Sequence, residues 1–127
     1  MEKKKFLSNM TFEVNEVKKT VTCCLNSKGQ KIYAVAKCRE DDVFDVEKGK
    51  IISCYRAEIK QRQRDLSNTL TVISMLKMLI HKYNVINEPW KKSKHWDNFL
   101  RIACDEKKAQ QENIKYCKKE LEKLIKE

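Results

Sequence analysis

Apolar residues recur every seven positions in the middle of this chain: Ile52, Ile59, Leu66, Ile73 and Ile80, with Tyr55, Leu76 and Tyr83 three places further on in the same repeat. A second ladder follows, Trp96, Leu100, Ala103, Ile114, Cys117, Leu121 and Leu124. Spacings of three and four give one apolar stripe per helix. Between the ladders lies Asn87-Glu88-Pro89, where proline removes a backbone donor and ends the pattern. Two striped helices joined by a short breaker predict a long antiparallel helical hairpin. The first helix is expected over 46–84, roughly 55–60 Å long. The second is expected over 94–126, with Ser93 as its cap. Ser67-Asn68-Thr69 is the weakest helical stretch and the candidate site for a kink. Beyond it, Leu70, Val72, Met75, Leu76 and Leu79 widen the apolar face. That widening predicts deeper burial there, or a second partner.

Ahead of the hairpin the period changes from 3.6 to 2. Phe12 and Val14 alternate with polar neighbours, as do Val21, Cys23 and Leu25, and then Ile32, Ala34, Ala36 and Cys38. Asn26-Ser27-Lys28-Gly29 is a turn signal with glycine late. A two-residue turn at Lys28-Gly29 sets Leu25 against Ile32, Cys23 against Ala34 and Val21 against Ala36, all apolar pairs. A turn over Asn15 to Lys18 brings Phe12 near Val21. The expectation is an α+β fold: a three-stranded antiparallel meander over 10–38, followed by the hairpin, in a single domain of 127 residues. So small a sheet needs a cover. The connector carries Glu40, Asp41, Asp42, Asp45 and Glu47. Asp45 suits the N-cap of the first helix, and Val43 with Phe44 would plug the junction.

Charge narrows the function classes. Lysine and arginine total 28 against 18 acids, a formal net charge of +10. An excess of this size favours an acidic partner, above all nucleic acid. Lys48, Lys50, Arg56, Lys60, Arg62 and Arg64 crowd into 17 residues with Glu58 as the one acid among them. Arg56, Lys60 and Arg64 stand at i, i+4 and i+8, hence on one helix face. A phosphate-tracking or carboxylate-docking surface is the functional reading; an ordinary solvated face is the alternative. Lys91, Lys92 and Lys94 form a second basic group among Trp90, His95 and Trp96 at the hairpin tip.

Reaction chemistry is not legible. Two glycines cannot build phosphate loops, and no nucleotide or nucleophile-elbow motif occurs. The expectation is a protein that is not an enzyme and uses no cofactor. Six cysteines include no C-x-x-C pair, and Cys23 and Cys24 must point to opposite faces of a strand, so no metal site is expected. The start MEKKKF lacks the apolar run of a signal peptide, and no stretch approaches a membrane span. Free thiols in a reducing cytoplasm follow as the expectation.

The segment TFEVNEVKKTVTCCLNSKGQKIYAVAKCREDDVFDVEKGKIISCYRA, residues 11–57, resembles a recurring kind of small phage or prophage accessory protein of Gram-positive bacteria. The likeness lies in the FEVNE opening strand, the lysine-flanked second strand, AKC, and DDVFDVEKGK leading into a helix. Such proteins often disable host machinery, anti-CRISPR proteins among them. The resemblance therefore implies an inhibitor acting in the host cytoplasm on an RNA-guided CRISPR effector or its ribonucleoprotein complex, with the basic face competing for guide or target. Two other readings stand beside it. One is a plain DNA- or RNA-binding regulatory protein; the other is an adaptor that forms a homodimer through the Leu70–Ile80 face.

Overall fold

The computed structural model describes residues 9–39, 42–86 and 94–126, with the side chains of 83–86, 94 and 95 excepted. Strands β1 (Met10–Asn15), β2 (Thr20–Ser27) and β3 (Gln30–Lys37) precede helices α1 (Val46–Ile86) and α2 (Lys94–Lys126). The sheet is an antiparallel meander in the order β1-β2-β3. This is the expected α+β arrangement.

The β2–β3 turn follows from two residues. Lys28 and Gly29 both have positive φ, 51° and 76°, the signature of a type I′ turn whose twist matches the strands it joins. Leu25 therefore pairs with Ile32, Cys23 with Ala34 and Val21 with Ala36, as the sequence register predicts. The β1–β2 register differs from expectation. Phe12 pairs with Cys23, not Val21, because Asn15 stays in the strand opposite Thr20 and the turn runs over Glu16 to Lys19. The Asn15 side chain nucleates that turn: its Oδ1 accepts the Lys18 N–H at 3.0 Å, and Lys19 turns the chain at φ 54°. The shift brings Met10 opposite Leu25 and into the core, and leaves Val14 exposed.

By contact, the chain divides into two compact units, Met1–Gln61 with Lys115–Glu127, and Arg62–Ile114. Each unit holds a stretch of both helices. In the first unit, α1 lies on the inner face of the sheet. Cys23, Leu25 and Ala34 pack with Met10, Cys54 and Ala57, flanked by Phe12 and Ile32. The Cys54 thiol donates to Met10 Sδ at 3.3 Å. Small residues let the helix come close. A Cβ built on Gly49 would stand 2.7 Å from a γ-methyl of Val21, itself fully buried. Asp45 caps the helix: its Oδ1 accepts the Lys48 N–H at 3.2 Å, and its carbonyl accepts the Gly49 N–H. Val43 does not plug the junction. It is 92 % exposed, while Phe44 is half-buried, because the cap turns the chain onto the sheet only after residue 43.

All six cysteines are free. Cys23 is buried and Cys24 only half so, as opposite faces of β2 demand. Burial, with smaller contributions from Cys24 and Glu58, pushes the Cys23 thiol up to about 11. It therefore stays protonated near neutrality and packs as a small hydrophobe.

In the second unit, Ile73, Ala103 and Ile114 are buried along the hairpin seam, and Leu66, Leu76, Ile80, Trp96 and Leu100 are half-buried. Among the polar residues, Thr69 is buried, and Lys107 and Gln110 are half-buried. Helix α1 runs unbroken through Ser67–Thr69. Thr69 and Thr71 turn their hydroxyls back onto the carbonyls of Asp65 and Ser67, both at 3.1 Å, and so satisfy themselves within the helix. The widened apolar face is not more deeply buried. Leu70, Val72, Met75 and Leu79 are exposed, because the seam takes only Ile73, Leu76 and Ile80. The Pro89 break and the Ser93 cap lie outside the described residues.

Gly49→Ala is expected to destabilise the protein by about 1–2 kcal/mol despite alanine's better helix propensity. The added methyl meets the buried, β-branched Val21 side chain, whose χ1 is restricted. Urea denaturation followed by circular dichroism measures it; an unchanged or raised midpoint would show that α1 can lift off β2 at no cost.

Candidate nucleic-acid interface

Helix α1 and strand β3 share a spacing. Four residues of helix advance about 6 Å and two residues of strand about 6.6 Å. Arg56 and Lys60, four apart on α1, therefore reach carbonyls two apart on β3. Arg56 Nη1 donates to Val35 O at 2.8 Å, and Lys60 Nζ donates to Tyr33 O at 2.6 Å. One residue further along α1, Gln61 Nε2 donates to the side-chain Oγ of Ser27, at the end of β2, at 2.7 Å. Strand β3 is an edge, so its outward carbonyls have no ladder partner. The two cations supply one.

This revises the reading of the basic stripe. Arg56 and Lys60 are not a freely solvated face; they brace the sheet. Among the described residues neither forms an ion pair with a carboxylate, and both keep donors to spare, since a guanidinium carries five N–H groups and an ammonium three. Lys50 is also committed: its Nζ lies 3.9 Å from Glu47 Oε1 and 5.8 Å from the Phe12 ring centroid. Lys48 is half-buried beside the cap. Those four belong to the first unit. Arg62 and Arg64 belong to the second, both half-buried. Lys91 and Lys92 lie outside the described residues, as does the Lys94 side chain at the start of α2.

Sequence reasoning on α1 passed over the neighbouring strand. The outer face of the sheet carries Lys31, Tyr33, Val35 and Lys37 on β3, all exposed. Across from them on β2 stand Asn26, Cys24, Thr22 and Thr20, then Thr11, Glu13 and Asn15 on β1. The signal was present in the alternation itself: whatever faces away from Ile32, Ala34 and Ala36 must face solvent. Lys31 and Lys37 bracket the strand, and Arg56 and Lys60 line its edge. Glu13 is the one acid on this face, two strands away from the basic column.

Among the described residues no group of three or more His, Cys, Asp or Glu could hold a metal ion, and no helix is long and apolar enough to cross a membrane. No protein-family model, curated protein or solved structure matches this chain.

Replacing Arg56 and Lys60 together by methionine keeps an unbranched apolar stem and removes both edge donors. The double variant is expected to lose about 1–2 kcal/mol in urea melts. It is also expected to self-associate more, as judged by light scattering, because β3 is left open to another strand.

Proposed function

We propose that this protein acts by binding nucleic acid through the cationic β3 flank of its first unit. The observation that carries the reading is the gathering of Lys31, Lys37, Arg56 and Lys60 around one strand, with Glu13 as the acid on the same sheet face among the described residues. Phosphates attract such a group through counterion release, so binding weakens as salt rises. The narrower reading is that the nucleic acid is the guide or target of an RNA-guided CRISPR effector, which the protein inhibits in the host cytoplasm. Its support is the resemblance of residues 11–57 to phage accessory proteins, together with the charge.

Fluorescence anisotropy with labelled DNA and RNA between 50 and 200 mM salt is the test. A linear fall of log affinity with log salt is expected. Lys31→Gln with Lys37→Gln is expected to weaken binding about tenfold and flatten the slope by about 1–2, since each phosphate contact adds about 0.7–0.9. That pair is cleaner than any set including Arg56 or Lys60, which also hold the sheet edge. Salt-independent or absent binding would sink the reading. Inhibition of effector cleavage that survives the same pair would sink the narrower one.

A second reading has an observation of its own. In the second unit Val72, Met75 and Leu79 each precede a seam residue, and so do Phe99 and Ile102 on α2. All five are exposed. One residue back is a rotation of about 100° about each helix. In an antiparallel pair the same rotation on both helices lands on one face. A second copy of this chain is the occupant we assign to that apolar face, which makes the protein an adaptor. Sedimentation equilibrium is expected to give a dimer that Met75→Lys dissociates; a concentration-independent monomer rules this out.

A further inference from the structure

We propose that the open face of the sheet is a stacking platform for single-stranded nucleic acid, with an unpaired base lying on Tyr33 and its flanking phosphates on Lys31 and Lys37. The inference rests on the nucleic-acid reading above and specifies the kind of strand bound.

Tyr33 is 53 % exposed in the middle of a regular strand, on the side of the sheet that α1 does not cover. Its cross-strand neighbour is Cys24, and beyond that Thr11. These are short side chains, so nothing bulky on the row stands beside the ring. Val35, the next residue on the same face, is exposed as well. An aromatic ring with an apolar neighbour offers a base a flat surface that tolerates any sequence. Successive residues on one face of a strand stand about 6.6 Å apart, which sets Lys31 one step from Tyr33 and Lys37 two steps away on the other side. Arg56 and Lys60 bring two further positive charges to the edge beside the ring.

The geometry selects a single strand over a duplex. A base stacks on tyrosine only when it is free of its own stack, whereas a duplex offers the flat sheet nothing but backbone. It also argues against a peptide added to β3. Strand addition needs the outward carbonyls of an edge, and those of Tyr33 and Val35 are occupied by Lys60 and Arg56.

The experiment compares an unstructured oligothymidine and an oligouridine with a DNA hairpin of equal charge, by anisotropy on the full chain at fixed salt. The single strands are expected to bind at least tenfold tighter than the hairpin. Tyr33→Ala is expected to cost the single strands about tenfold and leave the hairpin unchanged, while Tyr33→Phe restores wild-type affinity. Tyr33 is exposed, so the melting temperature of each variant is expected to match wild type and serves as the folding control. Equal affinity for strand and hairpin, with Tyr33→Ala neutral, overturns the platform and leaves charge-driven binding standing. Absence of binding to every probe overturns both.

Discussion

The seating of α1 on the sheet is the constraint from which the rest follows. A three-stranded sheet with one apolar face leaves that face in water unless another element covers it. Here the cover comes close because the residues at the contact are small: Gly49 against Val21, and Cys54 and Ala57 over Cys23 and Ala34. The glycine costs the helix about 1 kcal/mol in propensity, and the packing of Val21 offsets it. Close seating also sets the distance at which the longer side chains of α1 meet β3. A helix held further off would leave Arg56 and Lys60 short of the strand.

Two roles then fall on the same cations. An edge strand exposes carbonyls that invite another chain. Covering them with Arg56 and Lys60 protects the edge and concentrates positive charge beside Lys31 and Lys37. A neutral donor such as the Gln61 amide, which serves Ser27, would satisfy a carbonyl without adding charge. The choice of charged donors joins sheet protection to the attraction of an anion.

Much of the fold was legible because periodicity is local. The change from period 2 to period 3.6 separates sheet from helices, and the Lys28-Gly29 turn carries the β2–β3 register in its two positive φ angles. The Phe12 register was misplaced because its turn depends on a hydrogen bond from the Lys18 N–H to the Asn15 side chain rather than on a glycine signal. Only part of the site was legible. Arg56 and Lys60 stand out in the chain as unpaired base, while Lys31, Tyr33 and Lys37 passed unremarked in a strand read only for its inward side.

By itself, then, the chain determined which residues are helical or extended and which face of each element is apolar, since these follow from spacing along a few turns. Tertiary structure alone decided what each polar face meets. Arg56 and Lys60 acquire their partners from a strand more than 20 residues earlier. Leu70, Val72 and Leu79 stay exposed because the seam covers only one side of their helix. Neither outcome is encoded in a local pattern, because the distances that settle them arise only when distant segments pack.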